Sequence, residues 1–97
     1  MKAAFLDRDG VINREVNYLH NIVDFKYVPK TKQALRNLKE LGYQIIIVTN
    51  QAGIAKGFFT EEDYYRLSRH YFQDLFESGI TLLDIIHCPH HPDGKLS

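Results

Sequence analysis

The sequence predicts an α/β domain on a parallel sheet, a three-layer Rossmann-like arrangement that is incomplete here, with strands 1 to 3 only within the 97 residues. Three observations predict it. Short apolar runs at Ala3–Leu6, Tyr43–Val48 and Leu82–Ile86 alternate with two segments of helical periodicity, the pattern of strand-helix-strand units. The connections are long enough for parallel crossovers rather than hairpins. Each run also ends in a polar cluster: Asp7 to Gly10, Thr49 to Gly53, and His87 to His91. Ligands of open α/β sheets gather beyond the carboxyl ends of the strands, so these clusters mark a site.

Ala3-Ala4-Phe5-Leu6 is continuously apolar and runs into a turn signal, as expected of a strand buried on both faces. From Asn13 to Tyr27 no period is evident, which predicts a long loop with one short ordered turn, and loops of that length are usually functional. Pro29 and Thr31 open a helix with apolar positions Ala34, Leu35, Leu38 and Leu41, and Gly42 stands where it should stop. The β-branched core Ile45-Ile46-Ile47-Val48 predicts a second buried strand. Thr49 to Gly53 reads as a polar turn. Thr60 can then cap a helix whose first turn carries Glu61, Glu62 and Asp63, with Tyr64, Leu67, Tyr71 and Leu75 as its buried stripe and Gly79 as its end.

Twelve Lys and Arg balance twelve Asp and Glu, for a formal charge of +0, so charge offers no reason to expect a nucleic-acid or anionic-membrane partner. No apolar run exceeds that of Ile45 to Val48, far short of the roughly 20 residues a membrane-spanning helix needs. A hydrophobic fraction of 44% with 25% charged residues is that of a folded domain. No repeat or linker divides it. The expectation is a soluble, cytoplasmic protein in which residues 1–97 form part of one domain. Its single cysteine, Cys88, excludes an internal disulfide and leaves a free thiol, a metal ligand or simple packing.

Asp7 and Asp9 are two apart, so on an extended backbone both carboxylates project to one side. They repel unless a cation neutralises them, and Mg²⁺ is the first candidate for an oxygen-only donor set. A carboxylate held against a phosphoryl group can act as nucleophile while a second one moves the proton. Gly10 lets the chain leave the strand sharply. Asp-x-Asp-Gly also describes an ordinary acidic turn, Thr49 could simply cap the turn after it, and Lys56 beside Gly57 fits a solvated lysine better than a phosphate ligand.

Three longer stretches decide between these readings. Phe5-Leu6-Asp7-Arg8-Asp9-Gly10-Val11-Ile12-Asn13, Thr49-Asn50-Gln51-Ala52-Gly53-Ile54-Ala55-Lys56-Gly57 and Cys88-Pro89-His90-His91-Pro92-Asp93-Gly94 resemble, in order, motifs of the haloacid dehalogenase (HAD) superfamily. The resemblance is to its D,D-heptose 1,7-bisphosphate phosphatase and histidinol-phosphatase branch and covers nearly the whole chain. It implies a Mg²⁺-dependent phosphomonoesterase acting on a small phosphorylated sugar through an aspartyl-phosphate. Asp7 would be nucleophile and metal ligand, and Asp9 general acid/base and also near the metal. Thr49 would hold the transferring phosphoryl group. Arg8, Glu15, Val16, Asn17, Tyr18, Asn50, Gln51 and Ala52 would contact substrate, with Arg8 the weaker candidate because it projects opposite Asp7.

In that branch a Cys-x-His pair, here Cys88 and His90, belongs to a four-ligand structural Zn²⁺ loop. The two further cysteines, the family's phosphate-binding lysine and its last acidic motif have no counterpart in these 97 residues. The expectation is therefore the N-terminal half of a phosphatase, with the first strand an exposed edge open to self-association. Heptose bisphosphate is the first substrate expected. Histidinol phosphate is the alternative, as is a non-catalytic binding or assembly module that collects Mg²⁺ or phosphate without turnover.

Overall fold

The computed structural model describes residues 2–88. In chain order the elements are β1 (Lys2–Asp7), a 3-10 turn (Ile22–Asp24), α1 (Thr31–Glu40), β2 (Tyr43–Asn50), α2 (Ala52–Ala55), α3 (Glu61–Glu77) and β3 (Asp84–Cys88). The strands form one parallel sheet in the order β1-β2-β3. Both crossovers step the same way across it, and right-handed crossovers of that kind put both helices on one face. Leu35 of α1 and Leu67, Tyr71 and Leu75 of α3 accordingly share one buried cluster with Ile45 and Ile47, and Leu6 and Ile85 pack against it. Each such fully buried aliphatic side chain contributes on the order of 1.5–3 kcal/mol.

The register divides the side chains between two faces. Leu6 pairs with Ile47 and Ile47 with Ile85 on the helix side, whereas Phe5 pairs with Ile46, Asp7 with Val48 and Val48 with Ile86 on the other. Among the described residues no helix covers that second face, and Phe5 (63%), Val48 (36%) and Ile86 (45%) are exposed there. Two of the three expected layers are thus present. The expectation that β1 is buried on both faces is overturned, because one covering layer buries only alternate residues. As expected, β1 is an edge strand among the described residues.

Other elements shift in instructive ways. Asn50 pairs with Cys88 and Thr49 with His87, so the pairing carries β2 two residues past the predicted Val48, and the predicted polar turn becomes strand end plus the single helical turn α2. The third strand starts at Asp84 rather than Leu82, since Leu82 is buried in the core without lying in the ladder. In α1 the side facing the core runs through Thr31, Leu35 and Leu38, while Ala34 and Leu41 are exposed. Thr31 begins α1 by binding the long loop rather than by capping: its hydroxyl donates to the Val28 carbonyl at 2.7 Å and lies 3.2 Å from that of Val11. Thr60 forms the expected cap reciprocally with Asp63, each side chain bound to the other's backbone N–H at 3.0 Å. The hydrogen bond from Thr60 holds the Asp63 carboxyl below its usual range, with Arg66 adding to it. All four predicted stripe residues of α3 are buried. No helix among the described residues is long and apolar enough to cross a membrane.

Candidate active site

At the carboxyl ends of β1 and β2 a cavity of about 220 Å³ is lined by Arg8, Asp9, Glu15, Val16, Asn17, Tyr18, Leu19, Asn50, Gln51, Ala52 and Gly53. All eight residues expected to contact substrate are among them, together with Asp9. Segments far apart in sequence meet here for separate reasons. The chain turns out of β1 at Gly10, whose φ of +84° suits a residue without a Cβ. The carbonyl of Arg8 then accepts the N–H groups of Val11 and Ile12 in a tight turn, and Arg14 N–H donates to the Lys26 carbonyl, closing the base of the long loop. The loop's far wall rests on α2 because Gly53 has no side chain: a Cβ there would overlap the Phe59 ring and come within 2.9 Å of the Tyr18 ring.

Tyr18 itself adopts a left-handed backbone, φ 54°, a conformation a residue with a Cβ holds at a cost. Its ring packs against Phe58 at 4.6 Å and its hydroxyl accepts from the Lys56 ammonium at 2.9 Å. Lys56 is thus solvent-exposed, as expected, and also anchors the tyrosine of the cavity wall.

The two aspartates are in unlike surroundings. Asp7, the last residue of β1, is exposed, and its register places it on the uncovered face beside Val48. Asp9, just beyond β1 and one residue before the Gly10 turn, is half-buried with one oxygen held: the Arg8 guanidinium donates Nη2–H to Oδ1 at 3.0 Å and the Asn13 amide donates to the same atom at 3.1 Å. Arg8 points to the helix-covered side, opposite Asp7 as its place in the strand predicts, and is only 1% exposed. Thr49 is buried, and its hydroxyl oxygen accepts from Gln51 Nε2 at 2.6 Å. Neither Asp7 nor Thr49 lines the cavity.

Behind Arg8 lie the phenols of Tyr64 and Tyr71. Burial pushes both above their usual range, and the positive guanidinium offsets part of that push. A larger cleft of about 450 Å³ between α3 and β3, bordered by Tyr65, Phe72 and Leu83, contains none of the motif residues.

Leu19, Gly53 and Asn13 are the residues of this region that spacing did not single out. Asn13 had a signal in retrospect, since it lies four residues past Asp9, within reach across one turn. Cys88 ends β3 as an exposed free thiol. His87 points to the opposite face, toward the Tyr64 ring at 4.1 Å and Glu61 Oε2 at 3.3 Å, so alternation along the strand separates it from Cys88. Among the described residues no group of three His, Cys, Asp or Glu side chains could hold a metal ion. The zinc expectation therefore finds no ligand cluster there, and its second residue, His90, lies outside the described residues.

The D-glycero-alpha-D-manno-heptose-1,7-bisphosphate 7-phosphatase of Photorhabdus laumondii is 58% identical over 94 residues, which are 97% of this chain and 51% of that protein. The D-glycero-beta-D-manno-heptose-1,7-bisphosphate 7-phosphatase of Haemophilus influenzae is 45% identical over 94 residues, again 97% and 51%. The chain spans about half the length of the curated relatives it matches. A crystal structure of D,D-heptose 1,7-bisphosphate phosphatase from B. bronchiseptica, complexed with magnesium and phosphate, matches with a TM-score of 0.88 at 29% identity, over 98% of this chain and 54% of that one. The likeness confirms the Rossmann-like, HAD-type α/β fold. A family model described as polynucleotide kinase 3 phosphatase matches residues 2–81, from β1 through the whole of α3, and with that match over most of its length the chain belongs to the polynucleotide kinase 3 phosphatase family.

Proposed function

We propose that residues 1–97 are the N-terminal part of a single HAD-like phosphatase domain that hydrolyses the 7-phosphate of D-glycero-D-manno-heptose 1,7-bisphosphate. The observation that carries the reading is one cavity, at the carboxyl ends of β1 and β2, lined by Asp9 and all eight expected substrate contacts. The relatives named for this substrate support it. In this reading a carboxylate oxygen of Asp7 attacks phosphorus as the bond to the sugar oxygen breaks, and Asp9 gives that oxygen its proton. Asp9 then takes a proton from water, whose oxygen attacks phosphorus and releases inorganic phosphate from Asp7. Thr49 would steady the transferring oxygens, with Asn50 and Gln51 suited to sugar hydroxyls or the phosphate rim.

Two carboxylates and no soft ligand at the end of β1 suit Mg²⁺, which is commonly bound through one or two carboxylates and keeps several waters. Asp7 would hold it through its carboxylate and Asp9 through its backbone carbonyl, and when bound it would neutralise charge on the phosphoryl oxygens. Cytoplasmic location and self-association through the β1 edge, where Phe5 is exposed, belong to the same proposal. So does zinc at Cys88 and His90, supported by the motif resemblance alone.

The test is phosphate release with Mg²⁺ from the α and β anomers of the heptose bisphosphate, from histidinol phosphate and from a 3′-phosphorylated oligonucleotide, beside an Asp7→Asn control. Preferential, Asp7-dependent release from a heptose anomer is expected. Preference for either other substrate would reassign the specificity. Phosphate binding without turnover would favour the non-catalytic module.

A further inference from the structure

We propose that Arg8 and Asn13 are positioning residues that hold Oδ1 of Asp9 and leave Oδ2 as the oxygen that carries the proton; this rests on the phosphatase reading above. Both donors converge on the same atom, at 3.0 Å from Arg8 Nη2 and 3.1 Å from Asn13 Nδ2. A carboxylate held this way cannot rotate about its last bond without breaking two hydrogen bonds, one of them charge-assisted.

Each donor is itself fixed. Asn13 is fully buried, its N–H donates to the Arg8 carbonyl at 3.2 Å, and its own carbonyl accepts from Gly10 N–H at 2.8 Å. Its amide orientation follows from its partners. The Asp9 carboxylate and the Arg14 carbonyl, 2.9 Å away, are both acceptors, so the amide must present its two protons to them. Arg8 is buried on the helix-covered side of the sheet, and among the described residues its one ion pair is to Asp9. Its Nε and Nη1, like the hydroxyls of Tyr64 and Tyr71, are buried without a hydrogen-bond partner among the described residues. Such an arginine presents almost no surface to a ligand. It acts on substrate through Asp9, which differs from the direct contact expected from its place in the motif.

Geometry of this kind matters for proton transfer because the acid must meet the leaving oxygen within hydrogen-bond reach. The arrangement predicts a dependence on the leaving group. A sugar alkoxide needs a proton as it departs, whereas a nitrophenolate does not. The experiment compares kcat/KM for the heptose bisphosphate and for p-nitrophenyl phosphate in wild type, Arg8→Lys and Asn13→Ala. The constant kcat/KM reports steps through the first P–O cleavage, so the later attack of water does not obscure it.

Asn13→Ala should lower kcat/KM for the sugar phosphate by about 10- to 100-fold and for the aryl phosphate by less than about threefold, a part of what a general acid supplies. Arg8→Lys should shift the ratio the same way. Should that variant not fold, Asn13→Ala alone decides. Equal losses on the two substrates, or no loss, would overturn the positioning role while leaving the phosphatase reading intact. Absence of Asp7-dependent release from either substrate in the wild type would overturn that reading and the inference with it.

Discussion

Ile47 and Val48 are neighbours in β2 with nearly the same chemistry, yet one is fully buried and the other exposed. The same division runs through the sheet. On the helix side Leu6, Ile45, Ile47 and Ile85 meet α1 and α3 in the core, while Phe5, Val48 and Ile86 stand on the uncovered side. It also separates Asp7 from Arg8 at the end of β1. Asp7 follows the uncovered face, and Arg8 enters the buried one and reaches back to Asp9. The covered face therefore supplies stability and a fixed cation, and the uncovered face supplies a free carboxylate. A continuous apolar run specifies a strand, but how many of its faces are buried depends on which layers pack against it.

Asp7→Asn should break the functional half of the contrast with the largest effect. It keeps size and removes the charge of the proposed nucleophile, so phosphate release should fall by at least about 10³-fold with the melting temperature unchanged. A variant retaining a tenth of the activity would remove Asp7 from the proposed chemistry.

The structural half is tested by truncating the two β2 neighbours. Ile47→Ala should cost about 2–5 kcal/mol in a urea titration through lost burial and the cavity left behind. Val48→Ala, one residue on, should stay within about 0.5 kcal/mol of wild type. Similar losses would mean that the second face is covered in solution.

Phe5→Lys places a charge on the exposed face of the edge strand, where natural sheets often carry lysine. Sedimentation at increasing concentration should show less association than for wild type. Equal association would assign the contact to another surface.

The smallest effect concerns how the long loop is pinned to the covered side. The Tyr27 hydroxyl donates to Asp74 Oδ2 at 2.7 Å, and the Asp74 carboxyl is held below its usual value of 3.8, first by that hydrogen bond and then by Lys32. A depressed carboxylate stabilises the fold above its unfolded-state value, and that contribution is lost as pH falls through the lower folded-state value. Between pH 5 and pH 3 the wild type should therefore lose slightly more stability than Tyr27→Phe. The difference is small because Asp74 is partly exposed. Parallel loss in the two proteins would show that the hydrogen bond contributes nothing measurable.

Much of this was legible in the sequence because it is local. Helix α3 was readable from Thr60 to Gly79, since its cap, its acidic first turn and its buried stripe all lie within one segment. Arg8, Asp9, Asn50, Gln51 and Ala52 of the cavity were readable because their motifs lie at strand ends, whereas Glu15 to Tyr18, in the long loop, came from the family resemblance alone. Less legible were features set by distant partners. The last two residues of β2 depend on His87 and Cys88 across the ladder. The role of Gly53 depends on two aromatic rings from other segments, and the burial of Arg8 depends on tyrosines more than fifty residues away.

The alternation of apolar runs and helical periods by itself determined a parallel α/β sheet with its polar clusters at one end, because period and crossover length are properties of the chain alone. The tertiary structure decided which face the helices cover, which aspartate is held and which is free, and where Arg8 spends its charge. Those outcomes depend on handed crossovers and on side chains meeting across the sheet, and no spacing along the chain encodes them.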